Sequence, residues 1–171
     1  MKKAIALLLL ALHLSACGFH LRGIVEIPSW LRHISIIYKD QDTEFISLLT
    51  SQLETHKIHI ESEPAHAPYW LMIDSILYQK QIVSIGSSTN PRQYQLILGI
   101  EFSLQSCKGE LIMPSKRVIV TRQLTVNNDR ILGSNDEERH FIKEMRRDAV
   151  YQIINRLGAT NEIPCKLDTK P

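Results

Sequence analysis

The chain has 171 residues, 44% of them hydrophobic, and a formal net charge of +2 at pH 7. That length suits a single domain with a buried hydrophobic core, so no second domain is expected. A charge this close to zero gives no bulk electrostatic steering, so nucleic acid is not an expected partner and any anionic ligand requires a local basic patch.

The N-terminus has the pattern of a lipoprotein signal. Lys2 and Lys3 precede an apolar run at 4–14 that is too short to span a bilayer, and the sequence Leu-Ser-Ala-Cys ends at Cys17. In such a lipobox the thiol receives a diacylglycerol and the new α-amino group is acylated after cleavage, which gives a stable anchor. Gly18, rather than Asp, resembles the sorting pattern of outer-membrane lipoproteins. The alternative is an ordinary secretory signal with a chance cysteine at its end.

The chain divides into four predicted parts. They are a cleaved signal at 1–16, a lipidated segment at 17–33, a single α/β domain at 34–158 and a loose C-terminal tail at 159–171. Cleavage removes Lys2 and Lys3, after which Lys and Arg equal the 18 Asp and Glu in number. Beyond Cys17 no apolar run approaches the roughly eighteen residues of a spanning helix. The lipid on Cys17 is therefore the predicted membrane anchor.

The first predicted elements of the domain are a strand and a helix. The β-branched run 34–38 predicts the strand. Asp42 can cap the helix that follows, and Glu44 favours its positive end. Apolar residues then recur at helical spacing on one face: Phe45, Leu48, Leu49 and Leu53.

The stretch 56–68 predicts a loop. Pro64 and Pro68 exclude a regular element between them. At most a few residues around Ile58 and Ile60 are expected to be extended.

Three long β-strands come next. The first occupies 69–85 and ends at the turn-rich stretch 86–91. The second alternates cleanly, and its apolar face carries Tyr94, Leu96, Leu98, Ile100, Phe102 and Leu104. After a turn at Lys108-Gly109, the third runs from 110 to 126, with Pro114 marking a bulge or an edge position. At ~3.3 Å per residue, strands of about fifteen residues span about 50 Å, so an elongated antiparallel meander is expected.

The last predicted element is a long amphipathic helix. Ser134 and Glu137 stand at capping-box spacing, and Gly158 is suited to the C-terminal end. Its apolar stripe carries Phe141, Ile142, Met145, Ala149, Ile153 and Leu157. The predicted fold is α+β: a two-layer sandwich with two helices on one face of an elongated, mostly antiparallel four-stranded sheet, in which the first strand has a parallel neighbour.

No catalytic motif is present in the sequence. A nucleophile elbow, a phosphate-binding glycine-rich loop and a zinc-protease helix motif are all missing. His56, His59 and His66 could be considered metal ligands, but solvated or partly buried histidines are the better interpretation, because they lie in a loop without a nearby cysteine or a convincing acidic partner. Asp74 and Glu101 could be posed as an acid and a base, although carboxylates on a polar strand face are usually just solvated. We therefore predict a protein that is not an enzyme and has no metal or cofactor.

Two cysteines remain besides Cys17. An oxidising periplasm would permit Cys107 and Cys165 to form a disulfide. The alternative is two unrelated free thiols, since neither cysteine lies in a Cys-x-x-Cys motif.

The opening of the mature chain carries a family resemblance. The sequence Cys-Gly-Phe-His-Leu-Arg at 17–22 resembles the opening of the LptE family of lipopolysaccharide-assembly lipoproteins, and 94–96 and 142–157 resemble its central strand and last helix. The resemblance implies a non-enzymatic outer-membrane lipoprotein, facing the periplasm and barrel lumen. It also implies a 1:1 complex with an LptD-like β-barrel, whose lumen the protein plugs while helping to deliver lipopolysaccharide to the outer leaflet. A long, narrow sheet has the right shape for this.

A tentative lipopolysaccharide site follows from the same resemblance. The turn 86–91 and the loop 127–134 share one end of the predicted meander, where Arg92 and Arg130 could pair with phosphates. The family pattern has basic residues at the two positions that Ser87 and Ser134 occupy here, which is a departure from it. The competing interpretation of each arginine is a solvated surface charge, and Arg117 with Arg122 is a second candidate patch.

Two functional hypotheses stay open at this point. The barrel plug predicts an exposed apolar surface, and Trp70, Met72, Ile73 and Leu77 indicate a strand that is apolar on both faces. That strand could instead be buried on both sides within the domain. The other hypothesis is a lipid-anchored periplasmic binding domain that acts without a barrel partner and has a concave pocket.

Overall fold

The computed structural model describes residues 26–39, 42–85, 91–126 and 131–160, the side chains at 85, 91, 92 and 131–134 excepted. Within these ranges the secondary structure consists of five strands, two helices and two short 3-10 turns. In chain order they are a turn at Ser29–Leu31, β1 at His33–Tyr38, α1 at Thr43–Thr55, β2 at His59–Ile60, a turn at Pro64–His66, β3 at Tyr69–Ile85, β4 at Pro91–Ser106, β5 at Leu111–Thr125 and α2 at Ile131–Gly158. None of the described helices is long and apolar enough to cross a membrane.

The strands form one mixed sheet in the order β2-β1-β3-β4-β5. β1 is parallel to both of its neighbours, whereas β3, β4 and β5 form an antiparallel meander. The α+β class and the parallel neighbour of β1 are confirmed. The prediction of four strands is wrong, because the sheet has five.

The fifth strand is β2, which lies in the stretch predicted to be a loop with a few extended residues around Ile58 and Ile60; the extended residues are confirmed, but their pairing into the sheet was not predicted. β2 has only two residues, too few to show a period of two. Its position depends on a reversal after α1, where Lys57 adopts a φ of 64°, and on backbone bonds to the region of β1. His59 N–H donates to Arg32 C=O at 2.6 Å, and Glu61 N–H donates to Ile34 C=O at 2.8 Å. A strand made by such non-local bonds leaves no pattern in its own sequence.

The two helix starts differ in how well the sequence predicts them. Asp42 caps α1 as expected, since its Oδ1 accepts a hydrogen bond from Phe45 N–H at 3.0 Å. α2 instead begins at Ile131, so Ser134 lies inside its first turn and the capping-box prediction is wrong. A capping box is a local pattern and does not set the start of a helix that has already begun upstream.

Both helices cover the same face of the sheet. Every even-numbered residue of β4 from Leu96 to Leu104 is buried, as the alternation predicts. These residues form a single cluster with inward-facing residues of the helices, among them Phe45, Leu49 and Leu53 of α1 and Met145, Ala149, Ile153 and Leu157 of α2. Each fully buried Leu, Ile or Phe side chain contributes roughly 1.5–3 kcal/mol. The opposite face of the sheet is left without a helix among the described residues.

Candidate interaction surfaces

Of the four residues predicted for lipopolysaccharide binding, the structure describes the backbone of two. Ser87 and Arg130 lie outside the described residues, as does the lipidation site Cys17. Arg92 is the second residue of β4 and Ser134 is the fourth of α2, but only their backbone is described. β3 ends, β4 begins and β5 ends at one end of the sheet, as predicted. The binding role of these residues stays a prediction.

Cys107 lies at the other end of the sheet, in the turn between β4 and β5. Its backbone N–H donates to Pro68 C=O at 2.8 Å. The Cys107 sulfur is in a disulfide bond, while Cys165 lies outside the described residues. The pairing of Cys107 with Cys165 therefore stays a prediction.

The three histidines suggested as metal ligands do not come together. His66 pairs with Glu63 at 3.5 Å, whereas His59 shares Glu61 with His33, each at 3.5 Å. His33 was not anticipated, because only the parallel register of β1 and β2 places it opposite His59. The described part of the chain contains no group of three potential ligands arranged to hold a metal ion.

The two carboxylates posed as an acid and a base have ordinary partners. Asp74 occupies a bulge in β3 and accepts hydrogen bonds from Ser103 Oγ at 3.4 Å and Ser115 Oγ at 3.5 Å. Glu101 Oε1 pairs with Arg117, whose Nε lies 2.9 Å away. Both carboxylates therefore have hydrogen-bonding partners of their own.

A shallow apolar groove crosses the uncovered face of the sheet. Leu77 of β3, Gly99 of β4 and Ile119 of β5 lie directly opposite one another. Leu77 and Ile119 are both 54% exposed and form the two walls, and Gly99 is the floor. The groove has a volume of about 160 Å³ and ends at Ser75 and at the Glu101–Arg117 pair.

Gly99 is what keeps this groove open. A Cβ at that position would meet nothing closer than the Leu77 carbonyl oxygen at 3.9 Å, so the backbone tolerates a larger residue. Glycine in a strand interior costs about 0.5–1 kcal/mol relative to alanine and often marks a close approach by a ligand or another chain. The groove is therefore a candidate contact site. Sequence reasoning missed it, because only the cross-strand register shows that two large apolar residues flank the glycine.

The N-terminal half of α2 is fastened to β3 on the covered face. Glu138 accepts hydrogen bonds from Tyr78 OH at 3.0 Å and from Lys80 Nζ at 2.6 Å. Lys80 Nζ also lies 4.5 Å from the centre of the Tyr94 ring. Burial, together with the bond to Glu138, raises the pKa of the Tyr78 phenol well above its usual range. The phenol is thereby kept as a hydrogen-bond donor.

The two helices are joined to each other by an ion-pair cluster that we name the helix clasp, formed by Asp42, Glu44 and Arg146. Arg146 Nη2 lies 3.1 and 2.9 Å from the two Asp42 carboxylate oxygens, and Nη1 lies 2.6 Å from Glu44 Oε2. The side chains of Arg146 and Asp42 are only 18% and 22% exposed. Asp42 thus caps α1 and holds α2 with one carboxylate.

Comparison with known proteins identifies the family. A family model described as "LptE: Lipopolysaccharide-assembly" matches residues 31–157, well over half of the chain. The chain belongs to the LptE family. An LPS-assembly lipoprotein LptE from Photorhabdus laumondii is 28% identical over 149 residues, which cover 84% of this chain and 78% of that protein. The corresponding protein from Yersinia enterocolitica is also 28% identical and covers 92% of this chain and 77% of its own length.

Solved structures share the fold of this LptE-family chain. Lipoprotein B from Nitrosomonas europaea superposes with a TM-score of 0.71 at 25% identity, covering 83% of this chain and 91% of that one. The rare lipoprotein B from Shewanella oneidensis gives a TM-score of 0.64 at 19% identity, covering 74% and 94%. The second likeness supports the fold alone.

Membership of the LptE family confirms several predictions. The family resemblance is confirmed, and the family is one of lipopolysaccharide-assembly lipoproteins and not of enzymes. A role in lipopolysaccharide assembly follows, without a catalytic cofactor and with a covalent lipid of the kind that lipoproteins carry. The family name by itself identifies neither the barrel partner nor the residues that bind lipopolysaccharide.

Proposed function

We propose that this protein is an outer-membrane lipoprotein that occupies and supports an LptD-like β-barrel in a 1:1 complex and helps to deliver lipopolysaccharide to the outer leaflet. In this proposal Cys17 carries the acyl chains, and the domain projects its long sheet into the barrel lumen. The observation that carries the proposal is an uncovered apolar groove on the sheet face of an LptE-family chain.

The dimensions of the sheet are suited to such a position. β3, β4 and β5 have 17, 16 and 15 residues, which at ~3.3 Å per residue makes each about 50 Å long. An ordinary strand has about five or six residues. A narrow meander of this length could contact the inner wall of a β-barrel along much of the barrel's height.

The groove is better suited to a protein side chain than to a small molecule. Small-ligand sites usually have volumes of roughly 300–1,000 Å³, whereas this groove has about 160 Å³. An apolar side chain from the barrel could lie over Gly99 between Leu77 and Ile119. The Glu101–Arg117 pair at the end of the groove would supply the polar rim that protein interfaces usually have.

Lipopolysaccharide binding is assigned in this proposal to the distal end of the sheet, where β4 begins. Arg92 and Arg130 would contact phosphates by bidentate hydrogen bonds. Ser87 and Ser134, at the positions where the family pattern has basic residues, would lie beside them. A binding role for the arginines is supported by the formally neutral charge of the predicted mature chain, since only a local patch can then hold an anion.

The alternative function, a lipid-anchored binding domain without a barrel, has one observation in its favour. A groove of about 310 Å³ lies between α1 and α2, lined by Leu48, Val150 and Ile154 with Arg147 and His56 among its polar groups. Its size falls at the lower limit of small-ligand sites. This reading predicts a lipoprotein that purifies alone and binds a ligand at that groove.

The test is to recover the C-terminally tagged lipoprotein from membranes in mild detergent and to identify what accompanies it. We expect a large β-barrel protein at near-stoichiometric yield that stays bound through a high-salt wash. Gly99→Val should fill the groove and lower the barrel yield several-fold. Gln95→Val, on the same strand and face, is the matched control and should leave the yield unchanged. A lipoprotein that purifies alone would contradict the barrel proposal and favour the alternative.

A further inference from the structure

The two long edges of the sheet are unlike each other. The pairing of β3 with β1 ends at Ile73, opposite Tyr38. From Leu77 to Ser84 no strand lies beside β3 on that side among the described residues. A strand edge with unpaired N–H and C=O groups is a template for another strand. We call the stretch Leu77–Ser84 the free edge.

Two hydrogen bonds at the C-terminal end of β4 show which way its backbone N–H and C=O groups point. Cys107 N–H donates to Pro68 C=O at 2.8 Å, toward β3, and Ser106 N–H donates to Glu110 C=O at 2.9 Å, toward β5. In an antiparallel sheet successive residues point their backbone groups to opposite sides. The odd-numbered residues of β4 therefore point toward β3 and the even-numbered residues toward β5.

This alternation identifies the groups that the free edge presents. Leu77, Gln79 and Gln81 lie opposite odd-numbered residues of β4, so their N–H and C=O groups bond to β4. The residues of β3 that alternate with these three point their N–H and C=O groups away from β4. The N–H and C=O groups of Tyr78, Lys80 and Ile82 therefore point away from β4, in the plane of the sheet, at the spacing that a neighbouring strand would need.

The edge of β5 is blocked, unlike the free edge. Its outward carbonyl groups at Arg117 and Thr121 accept hydrogen bonds from Arg156 Nη1 at 2.8 Å and Arg122 Nη1 at 3.0 Å. β5 also contains Pro114, which has no N–H to donate. Charged side chains and prolines are the usual means by which proteins prevent edge-to-edge pairing.

The free edge has fewer of those protections. Every residue from Leu77 to Val83 is exposed, and Leu77, Ile82 and Val83 are each more than half exposed. Its one charge, Lys80, is paired with Glu138 of α2. An edge of this length that has no proline and whose one charge is paired is suited to strand addition.

We propose that the free edge, through Tyr78, Lys80 and Ile82, binds an extended segment of the barrel partner as an added strand. This inference rests on the proposed function. A row of outward backbone groups is matched only by another backbone in extended conformation. The wall strands of a closed barrel have no free edge, so the added segment is a loop or a terminus of the barrel that enters the lumen. The free edge carries Leu77, Tyr78 and Ile82 beside Gln79 and Gln81, so the added segment should combine apolar with uncharged polar side chains.

A second copy of this chain is a poorer occupant. The proposed 1:1 complex encloses one chain in one barrel, so a second copy would have no access to this edge.

The test uses the full lipoprotein, alone and in complex with its barrel. Ile82→Pro removes an outward N–H and no bond to β4, so the folded domain should keep its thermal unfolding temperature. We expect it to lower barrel recovery about tenfold, which corresponds to the loss of one good hydrogen bond. Gln123→Pro is the matched control, because it removes an outward N–H from the blocked edge of β5. Ile82→Thr keeps the N–H and should retain most of the binding.

Residue-resolved amide exchange supplies the second measurement. We expect the amides of Tyr78, Lys80 and Ile82 to exchange at least about tenfold more slowly in the complex than in the lipoprotein alone. Unprotected amides in an intact barrel complex would overturn strand addition and leave the proposed function standing. Absence of a barrel in the wild-type preparation would overturn both. Protection that arises in the lipoprotein alone at higher concentration would overturn the stated occupant in favour of a second copy.

Discussion

The helix clasp gives a quantitative prediction about stability. In Asp42→Ala two interactions are lost together: the cap on Phe45 N–H and the bidentate pair with Arg146. Asp42→Asn separates them, because an asparagine side chain still caps a helix but carries no charge. Arg146→Met removes the pair from the other side and keeps the aliphatic part of the side chain.

The magnitude follows from the burial of the pair. Loss of a helix cap costs about 1 kcal/mol, and loss of a charged hydrogen-bonded partner costs about 1.5–3 kcal/mol. Because Arg146 keeps Glu44 as a second partner, we take the lower half of that range. The free energy of unfolding should fall by about 2.5–3 kcal/mol in Asp42→Ala and by about 1.5–2 kcal/mol in Asp42→Asn or Arg146→Met.

The assay is urea unfolding of a soluble form that begins at Gly18, followed by fluorescence and circular dichroism. At about 2–4 °C per kcal/mol for a chain of this size, Asp42→Ala should also lower the melting temperature by roughly 5–12 °C. Arg139→Ala is the matched control. Arg139 pairs with Asp136 on the same helix, but both side chains are more than 70% exposed, so its loss should cost under about 0.5 kcal/mol.

A double-mutant cycle decides whether the reasoning holds. The Asp42→Asn and Arg146→Met changes should show a coupling of about 1–2 kcal/mol, because the two side chains are in direct contact. Simple additivity of the two single changes would refute the clasp. An Asp42→Ala variant that loses no more stability than Asp42→Asn would instead refute the contribution of the helix cap and leave the clasp standing.

Three further outcomes are expected. The raised pKa of Tyr78 favours the neutral phenol in the folded state, so its contribution to stability is complete below about pH 10 and is lost as the pH rises further; Tyr78→Phe should flatten that alkaline decline, measured by urea unfolding. Cys107→Ser should release a free thiol at Cys165 that is alkylated without reduction, detected by mass spectrometry. Combined Arg92→Ser and Arg130→Ser changes should weaken lipopolysaccharide binding several-fold in a pull-down and leave barrel recovery unchanged.

Each of these outcomes has its own contrary result. An alkaline decline identical in wild type and Tyr78→Phe would show that other groups cause it. A Cys165 that resists alkylation in Cys107→Ser, yet reacts after reduction, would mean another disulfide partner. Unchanged lipopolysaccharide binding in the double arginine variant would return Arg92 and Arg130 to the status of solvated charges, and Arg117 with Arg122 would become the next patch to test.

The sequence by itself determined the elements with a regular period. The alternation in β4 predicts the buried even-numbered residues from Leu96 to Leu104, and the stripe from Met145 to Leu157 predicts the buried face of α2. Both are long enough for burial to leave a repeated pattern. Asp42 was predictable as a cap because its partner is only three residues away. The motif at 17–22 indicated the family, since it is a local sequence.

The tertiary structure decided everything that depends on register between distant residues. β2 exists because Lys57 turns the chain back and the backbone near β1 offers partners. The groove exists because Gly99 comes between Leu77 and Ile119 only once three strands are aligned. The clasp joins residues more than one hundred positions apart. The free edge of β3 arises because β1 is only six residues long and β3 has seventeen, and no local pattern states which strand will lie beside which.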